Sequence, residues 1–143
     1  MLRRSGLLTA ALLAALPATA DAAIFRGETS RGRPASVVIG SDGLLRATRV
    51  NWRTDCRSGT FSTKTIFLRP HDASTPESFR DSGTYRTRGN SYRFRTTASI
   101  RGTRMSERRW RGRFSAKVLV TRKGRYVDTC RLRRLSWSAT RVD

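Results

Sequence analysis

Along most of this chain apolar and polar residues alternate one by one. Thr48, Val50, Trp52, Thr54 and Cys56 share one parity, and Arg49, Asn51, Arg53 and Asp55 the other. Tyr92, Phe94, Thr96, Ala98 and Ile100 alternate with Arg93, Arg95, Thr97, Ser99 and Arg101. Trp110, Gly112, Phe114, Ala116, Val118 and Val120 alternate with Arg111, Arg113, Ser115 and Lys117. A period of two places successive side chains on opposite faces, so each run predicts a strand with one buried and one wet face. Shorter runs at Ile24–Gly27, Ala35–Ile39, Phe61–Leu68, Tyr85–Thr87, Tyr126–Leu132 and Leu135–Thr140 predict further strands.

Turn chemistry separates the runs. Ser41-Asp42-Gly43, Arg57-Ser58-Gly59, Asp81-Ser82-Gly83, Gly89-Asn90-Ser91, Arg101-Gly102-Thr103 and Lys123-Gly124-Arg125 all carry residues suited to tight hairpins. Residues Arg69–Arg80 (RPHDASTPESFR) read as one long loop, with a single helical turn at Pro76–Phe79. The parity of the last segment slips between Leu132 and Leu135, which places a bulge or bend at Arg133-Arg134. The fold expected is all-β: a single antiparallel sandwich or partly open barrel of eight or nine short strands, spanning residues 23–143.

The first 22 residues break this pattern. Arg3 and Arg4 precede an apolar run from Gly6 to Leu16, then Pro17 and two small-x-small sites, Ala18-Thr19-Ala20 and Ala20-Asp21-Ala22. That order predicts a cleaved secretory signal of bacterial style, with either site usable. The apolar run is short for a span, which needs about 20 residues. No transmembrane segment is expected after the signal, and the chain is expected to be secreted or held at the cell surface. In that oxidising setting the two cysteines, Cys56 and Cys130, predict one disulfide. Closing so long a loop stabilises the fold by about 4 kcal/mol in the chain-entropy view.

Charge adds a second theme. Without the two arginines and one aspartate of residues 1–22, the chain keeps 28 basic and 9 acidic residues, a net charge of +19. The full chain has 27 arginines and 3 lysines. A GC-rich genome produces that ratio, so part of the basicity is compositional bias. A field of this sign nonetheless attracts polyanions. Export argues against a specific nucleic-acid partner and favours anionic cell-wall polymer or acidic polysaccharide. Arg109, Arg111 and Arg113 share an outward face, as do Arg93, Arg95 and Arg101, and Arg131 and Arg133. Alternate residues on a strand recur at about 6.6 Å, a spacing that can meet repeated anionic groups. If the strands pair, the rows merge into an arginine ladder, and the cost of like charges face to face predicts a register that separates some of them. Arg93, Arg95, Arg109, Arg111, Arg113, Arg131 and Arg133 are thus the candidate polyanion-binding residues.

Other chemistry is sparse. His71, the single histidine, lies beside Asp72, with Ser74, Thr75 and Ser78 near it. A small exported hydrolase at this loop is the alternative function, but triads are assembled from separate elements and adjacent residues seldom form one. Glu28, Asp42, Asp55, Asp72, Glu77, Asp81, Glu107 and Asp128 are scattered. Asp42 and Asp81 suit turns and the others suit ion pairs with arginine. Two cysteines without a histidine cluster do not make a zinc site, and no nucleotide-binding motif is present. No metal, cofactor or catalytic residue is expected. A third reading is a structural or interaction domain whose basicity is incidental, with its arginines interleaved with acids.

Trp52, Trp110 and Trp137 lie on the apolar parity and are expected in the core. Trp137 is expected beside the disulfide, like the tryptophan that packs on the cystine of sandwich domains. Tyr85, Tyr92 and Tyr126 suit core or edge positions.

Two stretches carry a resemblance. One is Phe25-Arg26-Gly27-Glu28-Thr29-Ser30-Arg31-Gly32-Arg33, followed by a strand and a Ser-Asp-Gly turn. The other pairs Trp52-x3-Cys56-x2-Gly59 with Cys130-x6-Trp137-Ser138-Ala139. Together they resemble small exported all-β proteins of high-GC actinobacteria, over nearly the whole chain after the signal. That group has no established activity, so the resemblance implies fold and export alone. The chain departs from the pattern at Arg131–Arg134, where an Asp-Thr-Gly turn is usual after the cysteine.

Overall fold

The computed structural model describes residues 22–68 and 77–143. The segment expected to be a signal peptide, up to residue 21, and residues 69–76 of the expected long loop, with His71, lie outside the described residues. Eight strands follow one another: β1 (Ala23–Thr29), β2 (Pro34–Ile39), β3 (Leu45–Cys56), β4 (Gly59–Leu68), β5 (Ser78–Gly89), β6 (Tyr92–Ser106), β7 (Arg109–Arg122) and β8 (Arg125–Arg141). They form one antiparallel sheet in the order β4-β3-β2-β1-β8-β7-β6-β5. The sheet curls into a nearly closed barrel. Of the two architectures expected, the partly open barrel is the one found.

The alternation explains the curl. One parity of β1, β2, β3, β6, β7 and β8 is largely buried, and Trp52, Trp110, Phe25, Phe114, Val37, Val50, Val118 and Val120 are almost wholly inside. Phe114 sits 5.6 Å from Trp52, and Phe79 is 5.6 Å from Trp110, centroid to centroid. Closing the sheet hides this apolar face without a second layer. No backbone pairing joins β4 to β5 among the described residues. Side chains close the gap: the Thr65 Oγ1 and Tyr85 hydroxyls lie 2.8 Å apart across it, and behind it the rings of Phe61 on β4 and Phe94 on β6 lie 4.9 Å apart.

Cys56 and Cys130 are bonded, tying the end of β3 to β8. Asp128 completes this corner. Its carboxylate accepts the backbone N–H groups of Arg57 at 2.6 Å and Ser58 at 3.3 Å, holding the β3–β4 turn, and that of Thr129 at 2.7 Å. Desolvation pushes its pKa up, but the three N–H donors and the nearby Arg57 charge outweigh this and hold it below the usual carboxylate value. Asp128 is thus a turn cap, and its role differs from the ion pairing expected of it.

Two of the turn signals fall inside strands. Asp81-Ser82-Gly83 lies within β5, and Ser78 and Phe79 begin that strand in place of a helical turn. Arg101-Gly102-Thr103 lies within β6, and the chain reverses instead at Glu107-Arg108. Gly102 is needed for space. A Cβ there would come within 2.6 Å of Phe79 Cζ and 2.9 Å of Trp137 Cζ2. Gly112, its register partner, likewise makes room for the Trp137 ring. Trp137 therefore packs on Phe79 and two glycines. It lies seven residues along β8 from Cys130, at the far end from the cystine. Lys123-Gly124 behaves as expected, with positive φ at both residues in a two-residue hairpin. The slip near the C-terminus is a bulge: Arg133 and Arg134 together face Ser115, with Arg134 at φ 55°. One long β8 replaces the two short strands expected.

Candidate functional site

The close packing inside shapes the surface outside. Phe79, Gly102, Gly112, Trp137 and Thr29 are successive register partners across β5, β6, β7, β8 and β1. Their backbone is the floor of an open cleft of about 1060 Å³ that crosses five strands. The residues on either side of this row point outward and make the walls. One wall is Arg80, Arg101, Arg113 and Ser136, continued by Ser30, whose N–H donates to the Ser136 carbonyl at 2.8 Å. The other is Ser78, Thr103, Arg111, Ser138 and Glu28. Arg109 adds a cation one outward position beyond Arg111. Five strands at about 4.8 Å spacing give a cleft about 19 Å long, with its wall rows about 7 Å apart.

The register places Arg101 directly opposite both Arg80 and Arg113. The separation of like charges expected from the sequence does not occur here. Such pairs cost stability unless an anion or an acid intervenes. Among the described residues, Arg80, Arg101, Arg109, Arg111 and Arg113 make no salt bridge or side-chain hydrogen bond. Among the described residues Glu28 is the one acid lining the cleft, and it is exposed and free of ion pairs there.

The other candidate arginines lie elsewhere. Arg93 and Arg95 face Arg88 and Arg86, making a quartet at the β5–β6 hairpin end. A belt of hydroxyls separates this quartet from the cleft, through Thr84–Thr97 at 3.2 Å and Ser99–Ser115 at 2.7 Å. Arg131 lies opposite Lys117, and with Arg133 they line a smaller hollow of about 280 Å³. The strands do pair, but the ladder is divided into three groups. The sequence reading missed Arg80 and Glu28 as neighbours of the β7 arginines. Reading β5 from Ser78 would have put Arg80 on the outward parity, opposite Phe79.

All three tryptophans are buried, and none offers a ring face to solvent. The oxygen of Asp128 lies near Cys56 and Cys130, but both sulfurs are held in the disulfide. No helix among the described residues is long and apolar enough to cross a membrane. No family model, curated protein or solved structure matches this chain.

Proposed function

We propose that this domain is exported and binds anionic polymer outside the cytoplasm, through the cleft across β5–β8 and β1, without catalysing a reaction. The observation that carries this reading is the convergence of Arg80, Arg101, Arg109, Arg111 and Arg113 on one cleft, with no internal acid paired to any of them among the described residues. Guanidinium forks bind phosphate, sulfate or carboxylate in bidentate fashion. A ligand anion between Arg80, Arg101 and Arg113 offsets their mutual repulsion, so binding relieves a cost built into the free domain.

The shape narrows the partner. Wall rows about 7 Å apart admit one extended chain and not a duplex. Single-stranded nucleic acid is held largely by bases stacked on aromatic faces, and the tryptophans here are inside the barrel. The hydroxyls of Ser30, Thr103, Ser136 and Ser138 instead suit a polyol or sugar backbone.

The test is retention of residues 23–143 on immobilised teichoic acid, acidic polysaccharide and single-stranded DNA of matched charge density, across a salt series. The slope of affinity with salt counts the charge contacts. One preferred non-nucleic polymer that resists salt best is the expected result. Weak, equal and fully salt-erased binding to all three would overturn the reading.

A further inference from the structure

One outward row of the barrel is apolar throughout. Ile24, Val38, Ala47 and Leu68 are successive register partners across β1, β2, β3 and β4, each on its strand's outward parity. Val142, just past β8, continues the row, with its N–H donating to the Ile24 carbonyl at 2.8 Å. Ile24 and Val142 are 45% exposed and Leu68 72%, and Ile66, the next outward residue on β4, is 49% exposed. Five strands make this strip about 19 Å long. It runs along the lip of the barrel where β1 begins and β4 ends. A contiguous exposed apolar strip of this kind marks a contact surface. Its middle strand, β2, is four places from β6 in the eight-stranded order, so the strip and the arginines of the cleft lie on opposite sides of the barrel.

One outward position back from the lip, about 6.6 Å away, the surface turns basic. Arg26 on β1 and Arg49 on β3 stand there, with Ser36 between them. Arg26 has no ion pair among the described residues, and Arg49 donates to the Asn51 amide oxygen, which leaves its charge unneutralised. Two acids at the lip are held by arginines, Asp42 by Arg46 and Asp143 by Arg108. Glu28 and Lys64 stand a further position back and offset each other. An apolar edge backed by cations matches a bilayer surface, where acyl chains begin about 5–10 Å beneath anionic headgroups. One apolar row is far shallower than the band of about 25 Å that a spanning barrel needs. A second copy of this chain fits the strip less well, because it would bring its own Arg26 and Arg49 up to these. We infer that this lip docks on an anionic lipid surface, with Ile24, Leu68 and Val142 entering the headgroup–acyl boundary and Arg26 and Arg49 meeting lipid phosphates. Docking leaves the arginine cleft turned away from the lipid. The inference uses a different face from the polymer cleft and stands without it.

The experiment sediments residues 23–143, which hold every strand of the barrel, with vesicles of mixed phosphatidylglycerol and phosphatidylcholine and with vesicles of phosphatidylcholine alone. Binding is measured at about 0.1 M and about 0.5 M salt, because salt screens exposed charges and leaves apolar burial in place. The wild-type protein is expected to prefer the anionic vesicles and to stay partly bound to them at the higher salt. Ile24→Ser with Leu68→Ser keeps the net charge and removes two exposed apolar side chains, so it should weaken binding roughly ten- to thirtyfold at both salts. Both positions are exposed, so the thermal midpoint should hold. Arg26→Gln with Arg49→Gln should weaken binding to the anionic vesicles by roughly tenfold or more at low salt and leave the salt-resistant part. Equal binding by the wild type and the serine variant, or wild-type binding wholly erased by salt, would overturn the inference and reduce the attraction to net charge. Dimerisation without lipid that the serine variant abolishes would also overturn it, by giving the strip to a second copy.

Discussion

On β3, Arg53 lies 3.8 Å from Asp55 and Arg49 donates to the side-chain oxygen of Asn51. At the start of β3, Arg46 pairs with Asp42 of the β2–β3 turn. On β6, Arg101 stands between Arg80 and Arg113, with no ion-pair partner among the described residues. The same residue type thus meets two treatments in one barrel. The β2–β4 arc looks as incidental basicity should, with arginines interleaved with acids and amides. The β5–β7 arc stacks like charges in register. The two arcs thus differ in how their arginines are partnered, and the proposed polymer ligand is the reading this difference supports.

The largest effects should come from reversing charge in the cleft. A charge-assisted hydrogen bond is worth about 1.5–3 kcal/mol, so each arginine lost should weaken polymer binding by roughly ten- to a hundredfold. Arg111→Glu alone should reach that range in a direct titration, and the salt slope should fall by about one unit or more.

Next comes the floor. In Gly112→Ala the new Cβ meets the Arg101 carbonyl and the Trp137 ring. Overpacking of this kind costs about 1–3 kcal/mol, read as a lower denaturation midpoint. Gly83 on β5 has open space around a would-be Cβ, so Gly83→Ala should be neutral or stabilise by up to about 1 kcal/mol. Equal effects at the two glycines would break the link between interior packing and the cleft.

A smaller effect separates charge kept for function from charge merely tolerated. Arg101→Thr removes a cation facing two others, and should raise stability by about 0.2–1 kcal/mol at low salt while weakening binding. The gain should vanish at high salt. Arg46→Ala, by contrast, breaks an exposed pair and should lower stability by no more than about 1 kcal/mol.

Asp128 gives a pH test independent of the cleft. Its pKa is lowered by folding, so it contributes stability above its usual value of 3.8, and that contribution is lost as pH falls through the folded value. The wild-type thermal midpoint should therefore drop on acidification below about pH 4 more steeply than that of Asp128→Asn. Parallel curves would remove Asp128 from the β3–β4 corner.

Parity made the barrel wall legible in the sequence, because it is local: each strand's own alternation names its inner face. The Arg133-Arg134 bulge was legible for the same reason, since a slip in parity marks the extra residue, whereas the disulfide was legible from two cysteines in a chain read as exported. Two kinds of feature were not legible. Gly102 read as a turn residue because a glycine serves tight turns and tight packing alike, and only its partners, Phe79 and Trp137, distinguish them. The cleft depends on register across five strands, which no single strand encodes. Arg109, Arg111 and Arg113 were visible as a row, whereas Arg80 and Glu28 joined them only through pairing.

The most direct test of the account holds net charge fixed and moves its position. Arg101→Glu with Arg111→Glu alters the cleft, and the carboxylate introduced at position 101 faces Arg80 and Arg113, so the fold gains favourable cross-strand pairs. Arg49→Glu with Arg53→Glu alters the exposed face of β3 by the same charge. Affinity of both variants for one acidic polymer should be measured over the same salt series. The account predicts that the cleft variant loses roughly a hundredfold or more in binding, while the β3 variant stays within a few-fold of the wild type. Equal losses from the two variants would show that net charge alone attracts the polymer, and would contradict the cleft as a site.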